Sequence, residues 1–204
     1  MSRVDEQSRQ RPEETRGHRP YLILTNISKR QNVRNLLQLA AAFGCPAVFV
    51  VGQPSFEFDP DADGTDVPSQ LREGIRRGGM EIVRFDGLDE CVAHVKSMNV
   101  ERSSNGASDD DVPRRGMPIL GVEIDDSSVN LESEPFASST AFMMGNEGSG
   151  MSPKQMAACD GFVRISQYGG GTASLNVSVA CGLVLHRFDL WRRGERVGAG
   201  CGLR

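Results

Sequence analysis

AFMMGNEGSGMS (Ala141–Ser152) and VRISQYGGGTASLNVSVACGLVL (Val163–Leu185) are the two stretches that decide the fold. In each, a short apolar run enters a glycine-rich turn. The first run, Ala141 to Met144, opens into Gly145, Asn146, Glu147, Gly148, Ser149 and Gly150, with one acid among the glycines. The second, Phe162 to Ile165, opens through Gly169–Gly171 and then Ser174, Leu175 and Asn176 into a long apolar helix. Short continuous apolar runs bounded by turn signals read as strands buried on both faces. Two strand-to-turn units this close in the chain predict two backbone loops that meet around one small ligand.

The same pattern recurs upstream. Tyr21–Thr25, Ala47–Val51, Met80–Phe85 and Pro118–Ile124 are further apolar runs of strand length. Between them lie helical patterns. Leu36, Leu37, Leu39, Ala40 and Phe43 share a helical spacing that ends at Gly44, with Pro46 beyond it, and Ser69–Arg77 and Leu88–Met98 predict two more helices. Ser152-Pro153 is a cap and first-turn pair for a short helix to Ala158, and Ser174–Trp191 predicts the last helix. Strands alternating with helices give an α/β class, a mainly parallel sheet with helices on both faces. Residues 20–193 are expected to form the domain, with 1–19 and 194–204 as disordered tails and the polar stretch 99–116 as a flexible insertion. The segment Asp125–Pro135 carries no clear assignment.

Composition narrows the function classes. A chain of 204 residues with 38% hydrophobic content and a mean hydropathy of −0.35 suits one soluble domain. No apolar run approaches the ~18 residues of a membrane span, and the N-terminus has no apolar core of a secretory signal. The five cysteines are odd in number and form no CxxC pair, which predicts buried thiols in a reducing, intracellular compartment, with the cytoplasm the first expectation. The three histidines stand apart, so no metal site is expected. A net charge of −4 argues against a globally basic nucleic-acid binder. Lys29, Arg30 and Arg34 nevertheless cluster and could hold phosphates.

The turns themselves exclude two phosphate sites. GNEGSG lacks the GxGxxG spacing of a dinucleotide fold, and no GK[ST] follows it. Two loops rich in backbone amides remain, with Glu147, Ser174 and Asn176 projecting from them. Exposed amides and carbonyls suit the edge of an adenine.

The order NxxxxxQxAxxFG, GNEGxGMS and IxxxGGxxxSLNVSVAxGxxL resembles the SpoU family of SPOUT RNA methyltransferases, with similarity spread from about Tyr21 to Phe188. The resemblance implies a SPOUT α/β fold with a deep C-terminal trefoil knot. It also implies S-adenosyl-L-methionine bound within the knot, a homodimer paired through the knotted halves, and methyl transfer to a ribose 2′-hydroxyl of tRNA or rRNA. By position, Met144, Gly145, Gly150, Ile165, Gly169 and Leu175 match cofactor-contacting residues, and Asn32, Glu147, Ser174 and Asn176 match the polar residues of the three motifs. Lys29, Arg30 and Arg34 are expected to grip RNA. Substrate recognition is expected from the dimer surface, the tails or a partner, since the short N-terminal tail leaves no room for the RNA-binding domain some relatives carry.

One position departs from the family. Its first motif carries an arginine six residues after the asparagine, and here that position is Gln38. A neutral amide cannot stabilise a developing alkoxide as a guanidinium does. Arg34 stands one helical turn earlier and is the substitute charge. The alternative is a catalytically degenerate knotted RNA- or ribosome-binding factor. Ser166 stands where the family has proline, and the third-motif loop is one residue longer than in bacterial members.

Overall fold

The computed structural model describes residues 17–98, 116–146, 148–169 and 174–195. Nearly all of the two expected tails and of the expected insertion lie outside these residues, as does Glu147. Seven strands form one sheet: β1 Pro20–Thr25, β2 Ala47–Val51, β3 Glu81–Phe85, β4 Ile119–Val122, β5 Val129–Asn130, β6 Thr140–Met144 and β7 Gly161–Arg164. Their order across the sheet is β3-β2-β1-β6-β4-β7-β5, and every pairing is parallel. The helices are α1 Arg30–Ala42, α2 Ser69–Arg76, α3 Leu88–Ser97, α4 Pro153–Ala158 and α5 Val177–Arg193.

Strand side chains alternate between two cores, as the pleat requires. On one face Leu22, Leu24, Val48, Val50, Phe142 and Met144 pack under α1 and α5, which supply Leu36, Leu37, Ala40, Val184, Leu185 and Phe188. On the other, Ile23, Phe49, Ala141 and Met143 pack under α3 through Leu88, Cys91 and Val95, with Met156 of α4 at the margin. Both faces are therefore covered, which is why the central strands read as unbroken apolar runs.

Several boundaries differ from the sequence reading. Helix α1 starts at Arg30, not within the apolar run at Leu36, because Asn32 and Val33 are already buried against the sheet. Strand β7 spans Gly161–Arg164, not Phe162–Ile165, and α5 begins at Val177, with Asn176 outside it as the N-cap. Within the segment left unassigned, Val129 and Asn130 pair with β7 and a 3-10 turn covers Leu131–Ser133. The expected N-terminal tail ends earlier than residue 19: His18 is buried and stacks on Trp191 with ring centroids 5.5 Å apart, and the Arg19 N–H donates to Ser139 Oγ at 3.0 Å. Helix α4 has the expected cap. The Gln155 N–H donates to Ser152 Oγ while Gln155 Oε1 accepts from the Ser152 N–H, a reciprocal box at the first turn.

Candidate cofactor pocket

The C-terminal ends of β4, β6 and β7 open into a cavity of about 480 Å³. Ligands in open parallel sheets bind at this edge. Val122 and Glu123 line it from β4 and its exit, Met144, Gly145 and Gly150 from the first glycine turn, and Val163 and Ile165 from β7 and its exit. Ser174, Leu175, Val177 and Ala180 close it from the approach to α5 and its first turn. The first glycine turn and the residues flanking the second glycine run, Gln167, Ser174 and Leu175, thus line one cavity.

The first turn is built by two side chains from distant parts of the chain. Asn146 pairs with Gly150 through reciprocal backbone hydrogen bonds of 3.0 and 3.1 Å. Its side-chain oxygen accepts from the N–H groups of Gly148 and Ser149, and its Nδ2 donates to the Asn26 carbonyl at 2.7 Å and to Ser28 Oγ at 2.8 Å. Asn146 therefore folds the turn and ties it to the exit of β1. Glu123 occupies the inside of the same turn. Its Oε2 accepts from the Met151 N–H at 2.9 Å, and it fills the space where side chains at Gly145 and Gly150 would begin. A Cβ at those positions would lie 3.2 Å and 2.6 Å from Glu123 Oε2, and Gly150 also has φ +66°. At Gly150 the carboxylate is the nearest obstacle, whereas at Gly145 Met151 Cγ at 3.1 Å and the Gly150 backbone at 3.2 Å crowd the same space.

A second network joins the motifs behind the cavity. Asn176 Oδ1 accepts from the Ser178 N–H at 2.9 Å, capping α5, and its Nδ2 donates to Asn32 Oδ1 at 3.2 Å. Asn32 is buried, so the first and third motifs meet through an amide pair that sets α5 against α1. Neither asparagine lines the cavity. We expect Asn176→Ala to cost about 1–2 kcal/mol of stability, the usual range for a lost N-cap. Asn176→Ser, which keeps the cap but not the reach to Asn32, should recover part of that in urea titrations.

Of the other anticipated residues, Met144, Gly145, Gly150, Ile165, Leu175 and Ser174 lie on the cavity wall. Gly169 does not; it is exposed beside Tyr168, which is 94% exposed, because the chain runs outward after Gln167. Gln38 is exposed on α1, and neither it nor Arg34 lines the cavity. Arg30 and Arg34 do not project freely as phosphate-gripping groups would. Both bind Asp66, at 3.0 and 2.8 Å, and Arg34 Nε also donates to the Asp66 carbonyl. The Asp66 side chain is 3% exposed and accepts from the Glu57 N–H as well, so it pins the acidic loop between β2 and α2 onto the start of α1. Lys29 is exposed at the N-cap of α1.

Burial alone would raise the Asp66 carboxyl, but the Glu57 amide and the two guanidiniums outweigh it and hold its pKa below the ordinary 3.8. A carboxyl lowered in the folded state contributes stability above its unfolded pKa and loses it as pH falls through the folded value. We expect Asp66→Asn to cost about 1–2 kcal/mol near neutrality, a charge-assisted pair discounted for the exposure of both arginines. The gap between the wild type and this variant should stay flat down to mildly acid pH and narrow below 3.8. Denaturation midpoints across pH check this.

Glu123, Asn146 and Asp66 carry roles that the sequence reading did not assign. The only sequence signal for Glu123 is an acid at the exit of an apolar strand. Among the described residues no group of His, Cys, Asp and Glu is placed to hold a metal, and no helix is long and apolar enough to cross a membrane.

The model of the SpoU rRNA Methylase family matches residues 19–186, which take in the sheet, both glycine turns and most of α5. The chain belongs to the SpoU family. Among curated SpoU-like relatives, the 23S rRNA (guanosine-2'-O-)-methyltransferase RlmB of Acinetobacter baylyi is 27% identical over 85% of this chain and 60% of its own length. The tRNA (guanosine(18)-2'-O)-methyltransferase of Aquifex aeolicus is 28% identical over 64% of this chain and 54% of its own. The chain therefore spans little more than half the length of these relatives. The solved SpoU methyltransferase AviRb of Streptomyces viridochromogenes, in complex with AdoMet, superposes with a TM-score of 0.62 at 21% identity, covering 88% of this chain and 59% of that one. The TrmH/SpoU tRNA modifying enzyme of A. aeolicus superposes at 0.61, covering 93% and 84%. These likenesses give this SpoU member its SPOUT-type α/β fold.

Proposed function

We propose that this chain is an S-adenosylmethionine-dependent RNA methyltransferase that acts on a ribose 2′-hydroxyl of tRNA or rRNA. The observation that carries the reading is a cavity at the ends of β4, β6 and β7, walled by residues of the second and third family motifs. Its size lies in the range of about 300–1,000 Å³ usual for cofactor sites. The donor set fits the cofactor. Apolar Met144, Ile165 and Leu175 suit an adenine plane, backbone groups near Gly145 and Ile165 suit its edge, and Glu123 offers acceptors to a nucleoside.

Bound S-adenosylmethionine supplies an electrophilic methyl group on a sulfonium. The protein's work is to hold the ribose oxygen in line with that methyl, about 3–3.5 Å away, in a site that excludes water. Arg34 is the residue of α1 that carries charge near the position of Gln38. Its guanidinium is held by Asp66, and a donor brought to the reacting oxygen is worth about 10²–10³ in rate. The knotted crossing of the last motif and a homodimer belong to the same proposal. On α5, Val179 and Leu183 are one turn apart and 52% and 42% exposed, a patch suited to a second copy. An intracellular, reducing compartment suits the buried thiols of Cys45, Cys91 and Cys181.

One observation favours a second reading, a binding factor without catalysis: both arginines beside the first motif are already engaged by Asp66. Calorimetry with S-adenosylmethionine, followed by transfer of labelled methyl to RNA from cells lacking the gene, tests both. Binding with transfer that Arg34→Ala abolishes supports the enzyme. Binding without transfer, gained in Gln38→Arg, supports the binding factor. Absence of cofactor binding overturns the pocket assignment.

A further inference from the structure

Among the described residues, Glu123 is the carboxylate that lies against both Gly145 and Gly150 on the cavity wall, and it is held from several sides. Its backbone N–H donates to the Val163 carbonyl at 3.1 Å, and its carbonyl accepts from Ser128 Oγ at 2.9 Å. Its side chain accepts twice more, Oε1 from the Ile124 N–H at 3.0 Å and Oε2 from the Met151 N–H at 2.9 Å. Position and orientation are thus set before any ligand arrives. Each carboxylate oxygen has acceptor capacity beyond its single N–H donor. What remains is a pair of acceptors side by side, fixed at the exit of a parallel strand next to a glycine turn.

Two parallel acceptors match two vicinal hydroxyls. In nucleotide-binding α/β folds of other topology, an acid at a strand exit takes ribose hydroxyls for the same reason. Asp125 also lines the cavity, but its Oδ1 is taken by the N–H and hydroxyl of Ser127 within its own turn. We propose that Glu123 is the residue that recognises the ribose diol of the bound nucleoside, and that it sets the preference for a ribonucleoside cofactor over a deoxy one. The inference rests on the cofactor reading above and adds a residue and a specificity to it. Because Glu123 also holds the Met151 N–H, the hydroxyls and Met151 would share one carboxylate.

The test is isothermal titration of S-adenosylhomocysteine and its 2′-deoxy and 3′-deoxy ribose analogues into the wild type and Glu123→Gln, with S-adenosylmethionine as a further ligand. The wild type should bind the parent at least about tenfold more tightly than either deoxy analogue, the usual size for a hydrogen bond to a charged acceptor. In Glu123→Gln that ratio should collapse towards one. Uniform weakening of all ligands with the ratio preserved would mean that Glu123 only shapes the turn, and overturns the proposal. So does a wild type that does not discriminate, whether or not the variant folds. Loss confined to S-adenosylmethionine would instead assign Glu123 to the sulfonium charge and also overturns it. A wild type that binds none of these ligands overturns the cofactor reading itself, an outcome distinct from the others.

Discussion

Gly150→Ala is expected to weaken binding of S-adenosylmethionine roughly tenfold or more, while Gly148→Ala, two residues away in the same turn and also on the cavity wall, weakens it less. At Gly150 two penalties coincide. The backbone is left-handed at φ +66°, which costs an L-residue about 1–2 kcal/mol, and the new Cβ would lie 2.6 Å from Glu123 Oε2. A carboxylate at the end of a side chain can usually swing aside. This one cannot do so without releasing the N–H groups of Met151 and Ile124. The substitution therefore dislodges Glu123 as well as straining the turn. At Gly148 the nearest atom to an added Cβ is Asn146 Oδ1 at 3.7 Å, an ordinary contact. Calorimetry on both variants, with thermal unfolding to compare their folds, checks the contrast. Equal loss in both would show that any side chain in the turn is harmful and that Glu123 has no special place in it.

Phe188→Ala should cost about 3–5 kcal/mol, the range for a large aromatic removed from a core that cannot collapse. Phe188 is fully buried on α5, with ring centroids 5.1 Å from Phe136, 5.6 Å from Phe142 and 5.1 Å from Trp191. Edge-on and tilted pairs of this kind add to the burial itself. Phe142 belongs to β6, a central strand, and Phe136 to the approach to it, so the cluster fixes α5 to the strand that feeds the first glycine turn. Urea titration should show a lower midpoint with an unchanged slope. Val179→Ala, on the exposed side of the same helix, should shift a monomer's stability by less than about 0.5 kcal/mol.

The sheet was legible because burial on both faces writes itself into the sequence as unbroken apolar runs. Leu22–Leu24, Phe49 and Phe142 announce strands without reference to anything else. The start of α1 was less legible, since Arg30 and Arg34 look like a solvated loop until Asp66 is seen to engage them. Strand β5, two residues long, offers no periodicity at all. The cavity wall followed from the glycine motifs, yet its polar organisation did not. Glu123 and Met151 are 28 residues apart, and Asn146 and Asn26 are 120 apart. Each of these contacts joins a side chain to a backbone group far along the chain, and only the parallel order of β1, β6 and β4 brings them to one edge. Gly169 lies off the cavity wall. A glycine run marks where backbone can bend, not which way the bend will face.

The stack of His18 on Trp191 places the entry to β1 beside the last turn of α5. Whatever polypeptide precedes Gly17 and whatever follows Glu195 thus leave the domain from neighbouring points. Appendages at the two ends would emerge on the same side of the domain. A tether joining them would need little length, so a circularly permuted chain that opens elsewhere on the surface could keep this domain's geometry.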